Sequence, residues 1–235
     1  MPKDYYLYKL YPLQDDTLKI ISGTPNDFYL SGGTALGRFY LHHRFSDDLD
    51  FFLNQSADFT HQVEQIFQSL KLNQIQFSVG IKSTDFVRIS LRKEQVILKV
   101  EFVNDVAYHY GDLKIFPLFP RVDNWRNILS NKLTALERRE PKDIADILFL
   151  ARHYSFHWND IFNAGLQKVV YLDALDVSKI LAEFPVEYFQ YISWDNEPDQ
   201  PAAARDLQQI AKDILLKQNN SIYGNSHDPN KKPRK

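Results

Sequence analysis

The stretch Phe28–Leu53, FYLSGGTALGRFYLHHRFSDDLDFFL, decides how the rest of the chain is read. An apolar run, Phe28–Leu30, leads into Gly32-Gly33, a pair that permits positive φ and lets a ligand or another backbone come close. Thr34–His43 then carries Ala35, Leu36, Phe39 and Tyr40 at helical spacing. A helix starting there leaves backbone N–H groups beside the glycines, an arrangement that favours an anion such as a phosphate. Asp48–Leu53 alternates as a strand does: Leu49, Phe51 and Leu53 share one face, Asp48, Asp50 and Phe52 the other. Two bare carboxylates on an otherwise apolar strand are unfavourable to bury. Their pairing points to a divalent cation with oxygen ligands, Mg²⁺ foremost; the plain alternative is a solvated strand face. His42-His43 reads as a surface pair, because adjacent helical residues diverge.

Outward from this stretch, residues 1–27 hold an amphipathic segment around Leu7–Leu13, a helical Leu18–Ile21 and the breaker Gly23–Asn26. Phe59–Leu70 has Val63, Ile66, Phe67 and Leu70 in helical register. Three β-rich runs follow, Ile75–Val79, Phe86–Leu91 and Val96–Val103. Glu101 is the acid inside the last of them. If that strand lies beside Asp48–Asp50, Glu101 completes a metal-ligand set; the plain alternative is a Lys99–Glu101 surface pair. Asp105 competes for the role but lies past the strand.

From Asp123 the pattern turns helical, with Trp125, Ile128, Leu129, Leu133 and Leu136 on one stripe. Lys132 sits inside that stripe, so it either snorkels outward or points at an anion. Arg139, seven residues on, is placed on a similar face. Pro141 suits the first turn of a helix Pro141–His153. There Asp143 and Asp146 are neighbours, though spacing alone allows a Lys142–Asp146 surface pair and an Asp143 that merely complements the helix dipole. Further helices are expected near Trp158–Val169, Asp173–Phe184 and Ala202–Leu216, and the polar end 217–235, closing in KKPRK, reads as disordered. The expected organisation is an α/β domain over 1–122, a helical domain over 123–216 that completes the active-site cleft, and the tail.

Composition sets limits. At 44% hydrophobic and 25% charged residues the chain reads as an ordinary globular protein. No apolar run is long enough for a transmembrane helix, the N-terminus lacks a signal-peptide core, and there is no cysteine. Disulfides and thiolate metal sites are therefore excluded, and a cytoplasmic protein without membrane contact is expected. A formal net charge of −2 gives no global nucleic-acid signal. RNA contact would need a local basic rim, for which Arg88, Arg92, Lys93, Arg138 and Arg139 are candidates. No dinucleotide or P-loop glycine motif and no nucleophile–His–acid constellation stands out.

Four blocks together resemble a known family: LSGGTAL (Leu30–Leu36), RFSDDLDF (Arg44–Phe51), NKLTALERR (Asn131–Arg139) and PKDIADILFL (Pro141–Leu150). They look like the nucleotidyltransferase toxins of abortive-infection and type IV toxin–antitoxin systems, within the DNA polymerase β-like superfamily. The resemblance covers about Phe28–Leu150, and Lys142 departs from it mildly, standing where the family often has Arg. It implies an α+β fold: a polymerase-β-like nucleotidyltransferase domain with a mixed β-sheet, followed by an α-helical C-terminal domain. It also implies that Gly32, Gly33 and Thr34 hold a nucleoside triphosphate (NTP), that Asp48 and Asp50 bind Mg²⁺ in a two-metal site, and that Lys132 contacts nucleotide phosphate. Asp146 would act near the reacting groups, with Arg44 and Ser46 in support. The implied reaction is transfer of NMP to an acceptor hydroxyl with release of pyrophosphate. The acceptor would be RNA, first of all the 3′ end of tRNA, and a cognate antitoxin would be the protein partner. A protein or small-molecule acceptor, and a non-catalytic nucleotide-binding module, are the alternatives.

Overall fold

The alternating apolar residues of the first half of the chain form the inner face of a β-sheet. In the computed structural model, which describes residues 2–224, the strands are β1 (Tyr29–Ser31), β2 (Asp48–Asn54), β3 (Gln76–Lys82), β4 (Phe86–Lys93) and β5 (Val96–Asp105). Among the described residues they build one five-stranded sheet in the order β1-β2-β5-β4-β3. β2 and β5 are parallel and the other neighbours antiparallel. A parallel pair needs a long crossover; here the helix α4 (Phe59–Leu72) and the β3–β4 hairpin supply it. Leu49, Phe51 and Leu53 are buried together with Val87, Ile89, Val100 and Phe102. Phe51 stacks on Phe102 with ring centroids 5.6 Å apart, Phe102 meets Phe28, and Phe28 meets Phe59 of α4. The sheet is thus mixed, as the sequence resemblance implies.

The N-terminal helical stretch is longer than the sequence pattern suggests. α1 (Lys3–Tyr5), a π-helical turn (Tyr6–Leu10) and α2 (Tyr11–Gly23) follow without a break. Leu10, Leu13, Leu18 and Ile21 are buried along it. The segment after β1 is also shared between two helix types, α3 (Gly32–Ala35) and a π-turn (Leu36–Tyr40). It stops short of His42 and His43. His43 is buried rather than on the surface, and its carbonyl accepts the N–H groups of Asp195 and Asn196.

Two compact units result: Met1–Ile128 with Gln190–Glu197, and Leu129–Phe189 with Pro198–Lys235. The boundary expected after residue 122 therefore falls inside the first unit. The reason is backbone pairing. Leu30 N–H donates to Arg121 O and Asp123 N–H to Leu30 O, both at 2.8 Å, so 121–123 lies along the free side of β1. Gln190–Glu197 returns to the same unit through an antiparallel bridge between Arg44 and Trp194 and a 2.8 Å bond from Phe45 N–H to Ser193 O. Local periodicity carries no sign of that return.

The second unit is helical: the end of α5 (Trp125–Thr134), then α6 (Pro141–His153), α7 (Trp158–Leu166), α8 (Ala174–Ala182) and α9 (Gln200–Leu215). The stripe through Leu136 is not one helix. α5 ends at Thr134, and a 3₁₀ turn, Leu136–Arg138, leads to Arg139 in the left-handed region at φ 52°. Nor is the whole stretch 217–235 without structure. Asn220 Nδ2 donates to the carbonyls of Ala151 and Tyr154 at 2.6 and 2.7 Å, Ser221 donates from N and Oγ to the buried Asp213, and Ile222 is buried. These polar residues are spent on buried acceptors, which composition cannot reveal. Residues 225–235, with the basic end, lie outside those described. No helix among the described residues is long and apolar enough to cross a membrane. Replacing Asn220 with Ala leaves two carbonyls without their donor and is expected to lower stability by about 1–3 kcal/mol, seen as a shifted midpoint in urea denaturation.

Candidate active site

In the first unit, β2 carries Asp48 and Asp50 on the face opposite the core. Both are partly exposed, while Leu49 and Phe51 between and beside them are fully buried. The turn after β1 comes down on this pair. Gly32 has φ +70°, and a Cβ added there would stand 2.7 Å from Asp50 Oδ2. Only glycine meets both demands, the backbone region and the close approach. Gly33 is fixed for another reason: a Cβ there would lie 2.5 Å from Arg44 Nη2. Gly37, one turn on, is pressed against Arg44 O in the same way, at 2.8 Å. Arg44 is buried beneath the turn, and its Nη1 donates to Phe45 O at 3.1 Å. Thr34 is buried too, with its hydroxyl donating to Asp48 O. Its side chain thus ties the turn to β2, and what it can offer a phosphate is backbone. Ser46 Oγ lies 3.5 Å from Asp48 Oδ1, and Gln14 Nε2 of α2 donates to Ser46 O at 3.1 Å. Ser31, just before the glycines, is clamped by a 2.6 Å bond to Asp123 Oδ2. Asp123, fully buried, also accepts from Asn127.

The strand register brings Glu101 where the sequence argument wanted it. Asp50 lies opposite Glu101 and Asp48 opposite Lys99 on β5, with Arg88 of β4 opposite Glu101 on its other side. The Glu101 carboxylate, however, is occupied by cations: Arg88 Nε at 2.7 Å and Lys99 Nζ at 3.3 Å, both on Oε1. Lys99 also reaches Asp48 Oδ2 at 3.0 Å. Burial works against the Lys99 ammonium, but Asp48, then Glu101 and Asp50, outweigh it and hold its pKa above the usual lysine value. Among the described residues no three His, Cys, Asp or Glu side chains converge as a ready metal cage. The donor chemistry nevertheless fits a hard divalent ion at Asp48 and Asp50, where the Gly32 turn leaves room that any Cβ would fill. Sequence reasoning placed Lys99 in a surface pair with Glu101 and Arg88 on a basic rim, and so missed the reach of Lys99 to Asp48 and of Arg88 to Glu101. The alternation of β4 and β5 contained that information.

The other predicted residues belong to the second unit and form a cluster of their own. Lys132 Nζ sits 2.5 Å from Asp143 Oδ1 and 2.8 Å from Asp146 Oδ2. Arg138 Nη2 adds a 3.0 Å contact to Asp143 Oδ2. Asp146 is fully buried and the Lys132 side chain is 12% exposed, so Asp146 is no surface group, while Asp143 does stand in the first turn of α6, where its charge complements the helix dipole. Arg139, displaced by the break after α5, is exposed. Of the expected basic rim, Arg88 and Arg92 share the open face of β4. Lys93 points the other way, to Asp16 at 2.8 Å. A cavity of about 430 Å³ opens beside Tyr29, Asn54 and His109, and neither Asp48 nor Asp50 lines it.

Removing Lys132 takes a close cation from the buried Asp146 and leaves Asp143 with Arg138. Lys132→Met is expected to cost about 3–5 kcal/mol of stability, read by urea denaturation. Asp146→Asn, which keeps the shape, should cost less.

The sequence profile described as "Nucleotidyl transferase AbiEii toxin, Type IV TA system" matches residues 18–220. Two crystal structures, both from Helicobacter pylori, are similar in fold. One is of a protein assigned as a nucleotidyltransferase, with a TM-score of 0.61 and 22% identity over 92% of this chain and 97% of that one. The other is of JHP933, with a TM-score of 0.60 and 21% identity over 98% of each chain. No curated protein matches.

Proposed function

The chain belongs to the AbiEii family of nucleotidyl transferase toxins of type IV toxin–antitoxin systems, and on that footing we propose that it transfers a nucleoside monophosphate from an NTP to RNA, with the 3′ end of tRNA as the first acceptor to test. One observation carries the reading: Asp48 and Asp50 stand on one face of β2 with the Gly32 backbone pressed against Asp50. We assign them the role of holding Mg²⁺, with Glu101 beside them in register. When bound, the divalent ions would supply Lewis-acid polarisation of the α-phosphoryl group and of the attacking hydroxyl.

The chain's own residues do the rest. Gly32 and Gly33 bring backbone close enough to hold the triphosphate, while Thr34 locks that turn onto β2 through Asp48 O. Arg44 supports the turn from below, and Ser46 orients Asp48. In the second unit we assign Lys132 to nucleotide phosphate, Asp146 to orienting it, and Arg139 to an outer phosphate contact; the Lys132–Asp146 ion pair and the exposure of Arg139 support this. The new bond is acceptor oxygen to α-phosphorus; the bond broken joins the α-phosphorus to the bridging oxygen, which leaves with pyrophosphate. As a type IV toxin the protein implies a cognate antitoxin.

Purified protein incubated with total tRNA, Mg²⁺ and each α-³²P-labelled NTP in turn should label tRNA from a preferred NTP. Asp48→Ala/Asp50→Ala should reduce that labelling by at least about a hundredfold. Label that appears in protein, and still needs the two aspartates, would move the acceptor. Label in tRNA that survives the double substitution would overturn the assignment of the site.

A further inference from the structure

On the open face of the sheet Asp48 and Glu101 each have a cation beside them, and they share one of these, Lys99. Lys99 Nζ bridges Asp48 Oδ2 at 3.0 Å and Glu101 Oε1 at 3.3 Å. Its side chain is 43% exposed and Asp48 is 29% exposed. A half-exposed lysine on a four-carbon stem forms a weak pair that is easily exchanged. Glu101 keeps a second cation, Arg88, at 2.7 Å when Lys99 leaves. Lys99 lies directly opposite Asp48 in the β2–β5 register, so the contact is fixed by the strand pairing and is no accident of a long side chain.

We propose that Lys99 is a resident counter-ion of the carboxylate site: its ammonium holds Asp48 and Glu101 in the metal-free protein and competes with the divalent cation for them. This rests on the reading of Asp48 and Asp50 as metal ligands. The consequence is specific. A divalent ion entering between these oxygens has to displace a like charge, so the protein without nucleotide binds metal weakly. Lys99, once displaced, presents its charge to the solvent side of the site, where an anionic substrate can take it up. Metal and triphosphate then favour each other's binding, since the substrate satisfies the cation that the metal expels.

Mn²⁺ alone, without nucleotide, is the probe, with free Mn²⁺ measured by electron paramagnetic resonance. Lys99→Met keeps the apolar stem and removes the charge; it should bind Mn²⁺ about fivefold or more tightly than the natural protein. Lys99→Gln, a second neutral variant, should do the same, and Lys99→Arg should restore the weak binding. Equal or weaker binding by both neutral variants would overturn the proposal, as would tight binding by Lys99→Arg, because the effect would then not be one of charge. Asp48→Ala/Asp50→Ala should abolish the binding; retention would place the ion elsewhere and overturn both this proposal and the metal reading. Absence of tRNA labelling alongside the expected Mn²⁺ pattern would sink tRNA as the acceptor and leave the role of Lys99 standing.

Discussion

Carboxylates two residues apart on a strand whose other face is core must be compensated from their own side. That constraint organises the first unit. β5 answers it by running parallel to β2 in a register that sets Lys99 and Glu101 against Asp48 and Asp50. β4 answers Glu101 with Arg88. The turn after β1 closes over Asp50 with a residue that has no side chain. Thr34, Ser46 and Gln14 then fix the backbone around the pair. Each choice is local, but together they require strand pairing between residues some fifty positions apart, and the buried aromatic layer behind the sheet holds that pairing.

Much of this was legible in the sequence because it obeys period-two alternation. The burial of Leu49, Phe51 and Leu53, the shared face of Asp48 and Asp50, and the common face of Lys99 and Glu101 follow from it. Pro141 and His153 mark the ends of α6 as helix-start chemistry and apolar spacing suggest. What escaped was non-local or chemically ambiguous. The pairing of 121–123 with β1, and the return of 190–197, are backbone events without side-chain periodicity. The break after Thr134 moved Arg139 off the expected face, because extrapolating a stripe assumes that the helix continues. Asn220 and Ser221 looked like a solvated tail, yet their polar atoms serve buried acceptors.

The second unit solves a different electrostatic problem. Lys132, Asp143, Asp146 and Arg138 place two acids and two cations in one cluster, and Asp146 has no contact with solvent. Such a group is demanding to bury and unforgiving of loss. Stability and the proposed phosphate contact are therefore entangled at Lys132, and a loss of activity there means little until folding has been measured on the same sample. The β2 site is less burdened in this respect, since its cations, Lys99 and Arg88, are 43% and 42% exposed.

The return of Gln190–Glu197 also sets a schedule. Phe45, which lies between the glycine turn and the aspartates, takes its backbone partner from Ser193, and Tyr6 takes one of its hydroxyl partners there as well. A chain emerging from the ribosome can pair its five strands early, but the frame around Arg44 and Ser46 lacks these partners until residues 190–197 have been made. For a protein of a toxin family, that ordering ties the frame of the candidate site to a segment made long after its strands.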